Sequence, residues 1–155
     1  MAEAIAQADV VSEVVKHMAG PAVSAVTYLP AKVAKIALAA EASPANGGLF
    51  SWQNPESVAV FATVILDVTT QATGAATADV GRAANATTSA DTLLDGIDVG
   101  AAAIVGNGFD NKGTNGKGWQ RLDAKDGAND YVTGTASADS SGLVGSAYVI
   151  YVPTS

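Results

Sequence analysis

The amino-acid sequence predicts a mainly β protein: an antiparallel β-sandwich of jelly-roll or Greek-key type, with an N-terminal helix and an extended arm in front of it. Three observations predict it. Residues 57–69 form a nearly unbroken run of β-branched and aromatic side chains. From residue 48 onward, strand-like runs are separated by clusters of Gly, Asn, Asp, Ser and Thr. No strand is followed by a helical period and a second strand, the rhythm that a parallel α/β sheet requires.

The elements follow in order. Residues 2–18 place Ala4, Ala8, Val11, Val15 and Met18 at helical spacing, with Ile5 and Val14 beside them. Gly20 and Pro21 stop that helix. Residues 19–30, bounded by Pro21 and Pro30 and carrying Tyr28 and Leu29, read as an extended connector. The chain therefore divides into an arm, residues 1–30, and a sandwich domain, residues 31–155. Within the domain, 32–39 is a strand and 43–48 a turn cluster. The run 57–69 is continuous enough to be a strand buried on both faces. Further strands are expected at 75–82, 97–105, 118–123, 130–136 and 143–152. Residues 88–96, opening on Thr88 or Ser89 and ending at Gly96, read as one helical turn. Residues 106–118, rich in Gly and Asn, form a loop.

Composition narrows the function. At 155 residues and 48% hydrophobic content the chain can build one domain with a real core. Net charge is −7, and from residue 48 onward eleven acids face five basic residues. Such a body repels phosphate backbones and anionic membrane surfaces, so neither nucleic acid nor membrane is an expected partner. The absence of cysteine excludes disulfides, thiolate metal sites and a Cys nucleophile. Glu3, Asp9, Glu13 and Lys16 interrupt the apolar stretch that a secretory signal needs, so synthesis in the host cytoplasm is expected.

Motifs that carry chemistry fail one by one. The single histidine, His17, lies on the arm, away from any hydroxyl or carboxylate cluster that could make a triad. Gly108 and Gly113 have phosphate-loop spacing but are followed by Thr114 and Asn115 instead of Lys and Ser. The stretch from Gly106 through Gly108 opens like a dinucleotide fingerprint that Asn111 breaks. Asp110, Asn111 and Asn115, with Asp123 or Asp126, supply oxygens for a calcium ion, but without the alternating acids and closing Glu of an EF-hand. These residues equally suit turns. Trp52 and Trp119 are assigned to capping the core, sugar stacking being the other use of an exposed indole. No catalytic residue, cofactor or metal site is expected.

GGLFSWQNPE (47–56), the stretch 66–100, GTNGKG (113–118) and YVTGTASADSSGLVGSAYVIYV (131–152) together resemble, over residues 31–155, a β-sandwich module of minor structural and head-associated proteins of tailed bacteriophages. The resemblance implies a jelly-roll body that decorates or cements the outside of a capsid, a major capsid protein as partner, a homotrimer and a virion location. Ile5, Val11, Val15, Met18, Tyr28 and Leu29 are then the candidate capsid or oligomer contacts. The alternative function is a carbohydrate-binding head-fibre or receptor-binding module using Trp119, Asp110 and Asn111 as its glycan platform.

Overall fold

The computed structural model describes residues 29–41, 48–106 and 113–154. Nine strands and no helix lie among the described residues: β1 (Lys32–Ala37), β2 (Phe50–Gln53), β3 (Val60–Thr70), β4 (Thr77–Ala83), β5 (Leu94–Asp98), β6 (Ala103–Gly106), β7 (Gln120–Leu122), β8 (Tyr131–Ala136) and β9 (Val144–Pro153). No described helix is long and apolar enough to cross a membrane. The predicted helix 2–18 and most of the connector 19–30 lie outside the described residues.

The strands form two antiparallel sheets packed as a sandwich. The first sheet runs β1-β9-β3, with β6 and β7 lying end to end along the far side of β3; the second runs β2-β8-β4-β5. The chain changes sheet at most connections, while β4 and β5 stay neighbours. Because side chains alternate along a strand, each sheet turns every second residue toward the other. In β3 these are Val60, Ala62, Val64, Leu66 and Val68, all buried. They meet Ala147, Val149 and Tyr151 of β9 and, from the second sheet, Phe50, Val80, Leu94, Ile97 and Val132 in one core. Burying each Val or Leu contributes about 1.5–3 kcal/mol. Gly134 lets the Phe50 ring lie across β8 within the second sheet, since a Cβ there would collide with it.

Three expectations are corrected. β3 is buried on one face only: Phe61, Thr63, Ile65 and Asp67 point away from the core. Its hydrophobic continuity comes from apolar residues on the outer face, not from a second packed layer. Residues 88–96 form no helical turn. Asn85 Oδ1 instead accepts from the Thr87 N–H and both Thr87 and Thr88 hydroxyls, ending β4 in a side-chain-locked turn, and Leu94 already starts β5. The expected strand 97–105 is split between sheets, β5 in the second and β6 in the first. The strand β2 went unseen; at four residues, Phe-Ser-Trp-Gln carries its two-residue period too briefly to stand out.

At one end of the sandwich Trp52 stacks on Tyr151, ring centroids 4.9 Å apart, and Glu56 pairs with Lys32 while approaching the Tyr151 hydroxyl. Trp52 thus caps the core as expected. The hydrogen bond to Glu56 raises the Lys32 pKa, and burial raises that of Tyr151. Both groups hold their protons longer folded than unfolded. Their contribution is therefore complete below pH 10 and lost as pH rises past the ordinary values of 10.0 for Tyr and 10.5 for Lys. Melting curves should show a decline above pH 10 that is shallower in Lys32→Met; equal slopes would remove the ion pair from the account.

Candidate interaction surface

The outward residues of the first sheet make a face in which large apolar side chains stand among Thr63, Asp67, Ser146, Lys35 and Arg121. Phe61 lies between Val152 and Arg121, Thr63 beside Ile150, and Ile150 beside Val33. In the next row Ile65 neighbours Tyr148, and Tyr148 neighbours Lys35; Asp67 then neighbours Ile104 and Ser146. Neighbours of this kind sit about 5 Å apart, so the apolar side chains form one continuous patch. Its charges are few. Lys35 Nζ lies 5.4 Å from the Tyr148 ring centroid, and Arg121 is 3.3 Å from Asp123.

Exposure singles out this side. The large hydrophobics exposed among the described residues are Leu29, Val33, Phe61, Ile104, Trp119 and Val144. Val33 (61%), Phe61 (46%), Ile104 (59%) and Val144 (55%) stand on strands of the first sheet. Trp119 immediately precedes β7, and by alternation falls on the same side as Phe61 and Arg121. Leu29 leads into β1.

The second sheet is built the opposite way. Its outward residues include Ser51, Gln53, Asp79, Thr133 and Thr135, and residues 88–92 of the chain lie over its middle, at Gly81 and Thr133. Thr133 is fully buried there, its hydroxyl donating to the Thr88 carbonyl at 2.7 Å. Its register partner Gly81 lies against Ala90 and Thr92, leaving no room for a Cβ. The Arg82 N–H donates to Thr92 Oγ1 at 3.1 Å, and the Leu93 N–H to the Val80 carbonyl at 2.9 Å. One side of the sandwich is mostly polar and partly covered by its own loop; the other carries most of the exposed large hydrophobics among the described residues.

The sites read from sequence divide accordingly. Leu29 is exposed (43%) where the chain enters β1. Ile5, Val11, Val15, Met18 and Tyr28 lie outside the described residues, as do Asp110 and Asn111 of the glycan and calcium readings. Trp119, assigned to capping the core, is instead 51% exposed. It sits before a three-residue edge strand whose inward position is taken by Leu122, so nothing draws the indole inward. The remaining calcium candidates serve the fold: Asn115 donates to Asp91 Oδ2 at 3.0 Å, Asp123 Oδ2 accepts the Asn129 N–H and Asp126 Oδ1 accepts from Gln53. No group of three or more acidic or histidine side chains among the described residues is arranged to hold a metal ion. Sequence reasoning missed Val33, Phe61, Ile65, Ile104 and Ile150. The signal was present in Phe61-Ala62-Thr63-Val64-Ile65, where apolar residues occupy both phases of a strand that needs only one for its core. Comparison with known proteins gives no match to any family model, curated protein or solved structure.

Proposed function

We propose that this chain is a virion structural protein that decorates or cements the outer surface of a bacteriophage capsid and works through surface contact, with no bond made or broken by its side chains. The observation that carries the reading is the gathering of exposed large hydrophobics on the first sheet and its flanks, opposite a more polar side partly covered by residues 88–92. A free monomer rarely leaves a contiguous apolar sheet face to water; such a face marks a contact surface. The first-sheet side and the arm leading into it then meet the assembly, and the second sheet faces solvent. We read the sandwich itself as a jelly roll, because its sheet orders, β1-β9-β3-β6 and β2-β8-β4-β5, come from a chain that crosses between sheets at six of its eight connections. The phage setting, the major capsid protein as partner and the homotrimer are supported by the motif resemblance over residues 31–155. In a trimer, three weak attachments on one body combine into an avidity far above each alone.

The test is co-sedimentation with capsids that lack the protein. The full chain should pellet with them, and a chain lacking residues 2–20 should remain in the supernatant while keeping its β-sheet circular dichroism. Retained binding would remove the arm from the attachment. One observation favours a second reading, a carbohydrate-binding module: the exposed Trp119 near Phe61 and Arg121 is a surface on which a sugar ring could stack. A saturable change in Trp fluorescence with cell-surface polysaccharide, lost in Trp119→Ala, would establish it in place of the capsid role.

A further inference from the structure

We infer that a second copy of this chain covers the outer face of the first sheet in the unassembled protein, the two copies packing face to face about a two-fold axis. The inference rests on reading that face as the contact side, and it names what occupies the face before the capsid does. An axis running along the strands, midway between β9 and β3, sets β9 of each copy over β3 of the other. Phe61 stands beside Val152 across these two strands, and Ile65 beside Tyr148. The rotation therefore lays Val152 over Phe61 of the other copy and Tyr148 over its Ile65, each contact made twice.

Charge selects this occupant. The chain carries a net charge of −7, so two copies repel each other through most of their surfaces. The first-sheet face is close to neutral: it carries Lys35 and Asp67, and its Arg121 is already matched by Asp123. Lys35 is exposed and Asp67 half-buried, and neither belongs to an ion pair among the described residues. They stand on opposite sides of the axis, Lys35 on β1 and Asp67 on β3, two residues apart along the strands. The rotation carries each Lys35 over the far side of the other copy's sheet, where Asp67 is the nearest charge. One strand spacing and two residues of rise separate them by about 8 Å, a gap that a lysine and an aspartate side chain bridge together. One cation and one anion per face thus make two ion pairs. Area agrees. Four strand widths of about 4.8 Å, along an outward run of about 26 Å in β3, present about 500 Å² per copy and about 1,000 Å² for the pair. That is the lower limit of a specific interface, where association is weak and reversible, as it must be for a face that reopens onto a capsid. The pair is then the state of the free protein, and the homotrimer that of the particle.

Sedimentation velocity of the full-length chain over a concentration series tests this, with Lys35→Glu, Asp67→Lys and an equimolar mixture of the two variants. The parent should shift from one copy to two as concentration rises. Each variant alone sets like charges against each other twice and should self-associate at least about tenfold more weakly. In the mixture the new glutamate of one chain faces the new lysine of the other, while the unaltered Lys35 and Asp67 face each other. Association should therefore return to the parent level, which also shows that both variants fold. A parent that stays single at every concentration would overturn the pairing and leave the face to the capsid. So would a parent whose association neither variant weakens, or one whose limiting mass is three copies. A mixture that stays apart, although both variants keep the parent's melting temperature, would overturn it as well. Capsid co-sedimentation is a separate measurement. A chain that stays single but pellets with capsids would sink this inference alone, and a chain that pairs but pellets with none would fault the capsid reading alone.

Discussion

A chain carrying Phe61→Glu together with Ile104→Lys should fold normally and lose capsid binding by at least about a hundredfold. The substitutions are chosen so that the free molecule tolerates them. Phe61 is opposite Arg121 and Ile104 opposite Asp67 across neighbouring strands, so each new charge faces one of opposite sign. Both residues are about half exposed, at 46% and 59%, and neither belongs to the core. Surface substitutions of this sort shift stability by about 0.5 kcal/mol, a few degrees in melting temperature. Binding responds differently. A large apolar side chain at the centre of a contact surface is worth about 2 kcal/mol or more, and a charge put in its place must be desolvated on docking. Two such losses exceed the 2.8 kcal/mol, approximately, that a hundredfold represents. The matched control is Ser51→Glu, equally exposed but on the second sheet, which should bind as the parent does. Unchanged binding of the double variant, measured by co-sedimentation over a concentration series, would show that this face is not the contact side.

How far the sequence foretold this surface depends on which residues one asks about. Strands β3, β8 and β9 were legible because each carries four or more β-favouring residues, and β1 and β4 because each stands between turn clusters or prolines. Sheet membership was not legible. The stretch 97–105 looks like one strand, yet Asp98 and Ala103 belong to different sheets, because strand pairing is settled by long-range contacts that a local window does not contain. The helical turn expected at 88–96 failed for a related reason. Thr88 is a competent cap, but its carbonyl is taken by Thr133 forty-five residues away, and Leu93 is drawn into the core. Trp119 failed as a core residue since an indole in a turn is equally at home capping or exposed; the presence of Leu122 at the inward position decided it. The apolar face was hidden by its own hydrophobicity, which on β3 reads as burial.

The difference between the two sides has a physical consequence for assembly. Residues 88–92 bury Thr133 and pack against Gly81, giving the middle of the second sheet a cover that needs no partner. The first sheet has no such cover among its described residues, so its apolar surface remains a source of free energy for any partner that removes it from water. An antiparallel sheet can face water on one side, but that side normally alternates to polar residues. Here Phe61, Ile65, Ile104, Ile150 and Val152 break that alternation.

Asn54→Ala should cost the fold roughly 3 kcal/mol, a drop of about 10 °C in melting temperature, the largest expected from any single polar side chain here. Asn54 is fully buried and ties the β2–β3 connection to the β7–β8 turn. Its Nδ2 donates to the Val58 carbonyl at 3.0 Å and the Asp123 carbonyl at 2.8 Å, its Oδ1 accepts the Glu56 N–H at 3.0 Å, and its own N–H donates to the Asp130 carbonyl. Alanine leaves two carbonyls and one N–H without their partner, each worth about 1–3 kcal/mol where water cannot replace it. Asn54→Asp separates hydrogen bonding from shape. The carboxylate can still accept from Glu56, but it faces two carbonyl oxygens and has lost its donors. Burial and those oxygens raise its folded pKa above the unfolded value, so its contribution is most favourable at low pH and is lost as pH rises through the folded value. The gap in melting temperature between parent and Asn54→Asp should therefore narrow from pH 7 to pH 4, while the gap to Asn54→Ala should not narrow in the same way. A pH-independent gap for Asp, or a loss below 1 kcal/mol for Ala, would mean that water reaches this corner. The corner bears on function because Val60 starts β3 two residues after Val58 and fixes the register in which Phe61 is turned outward. A loosened Asn54 would thus weaken the contact face from its most aromatic end.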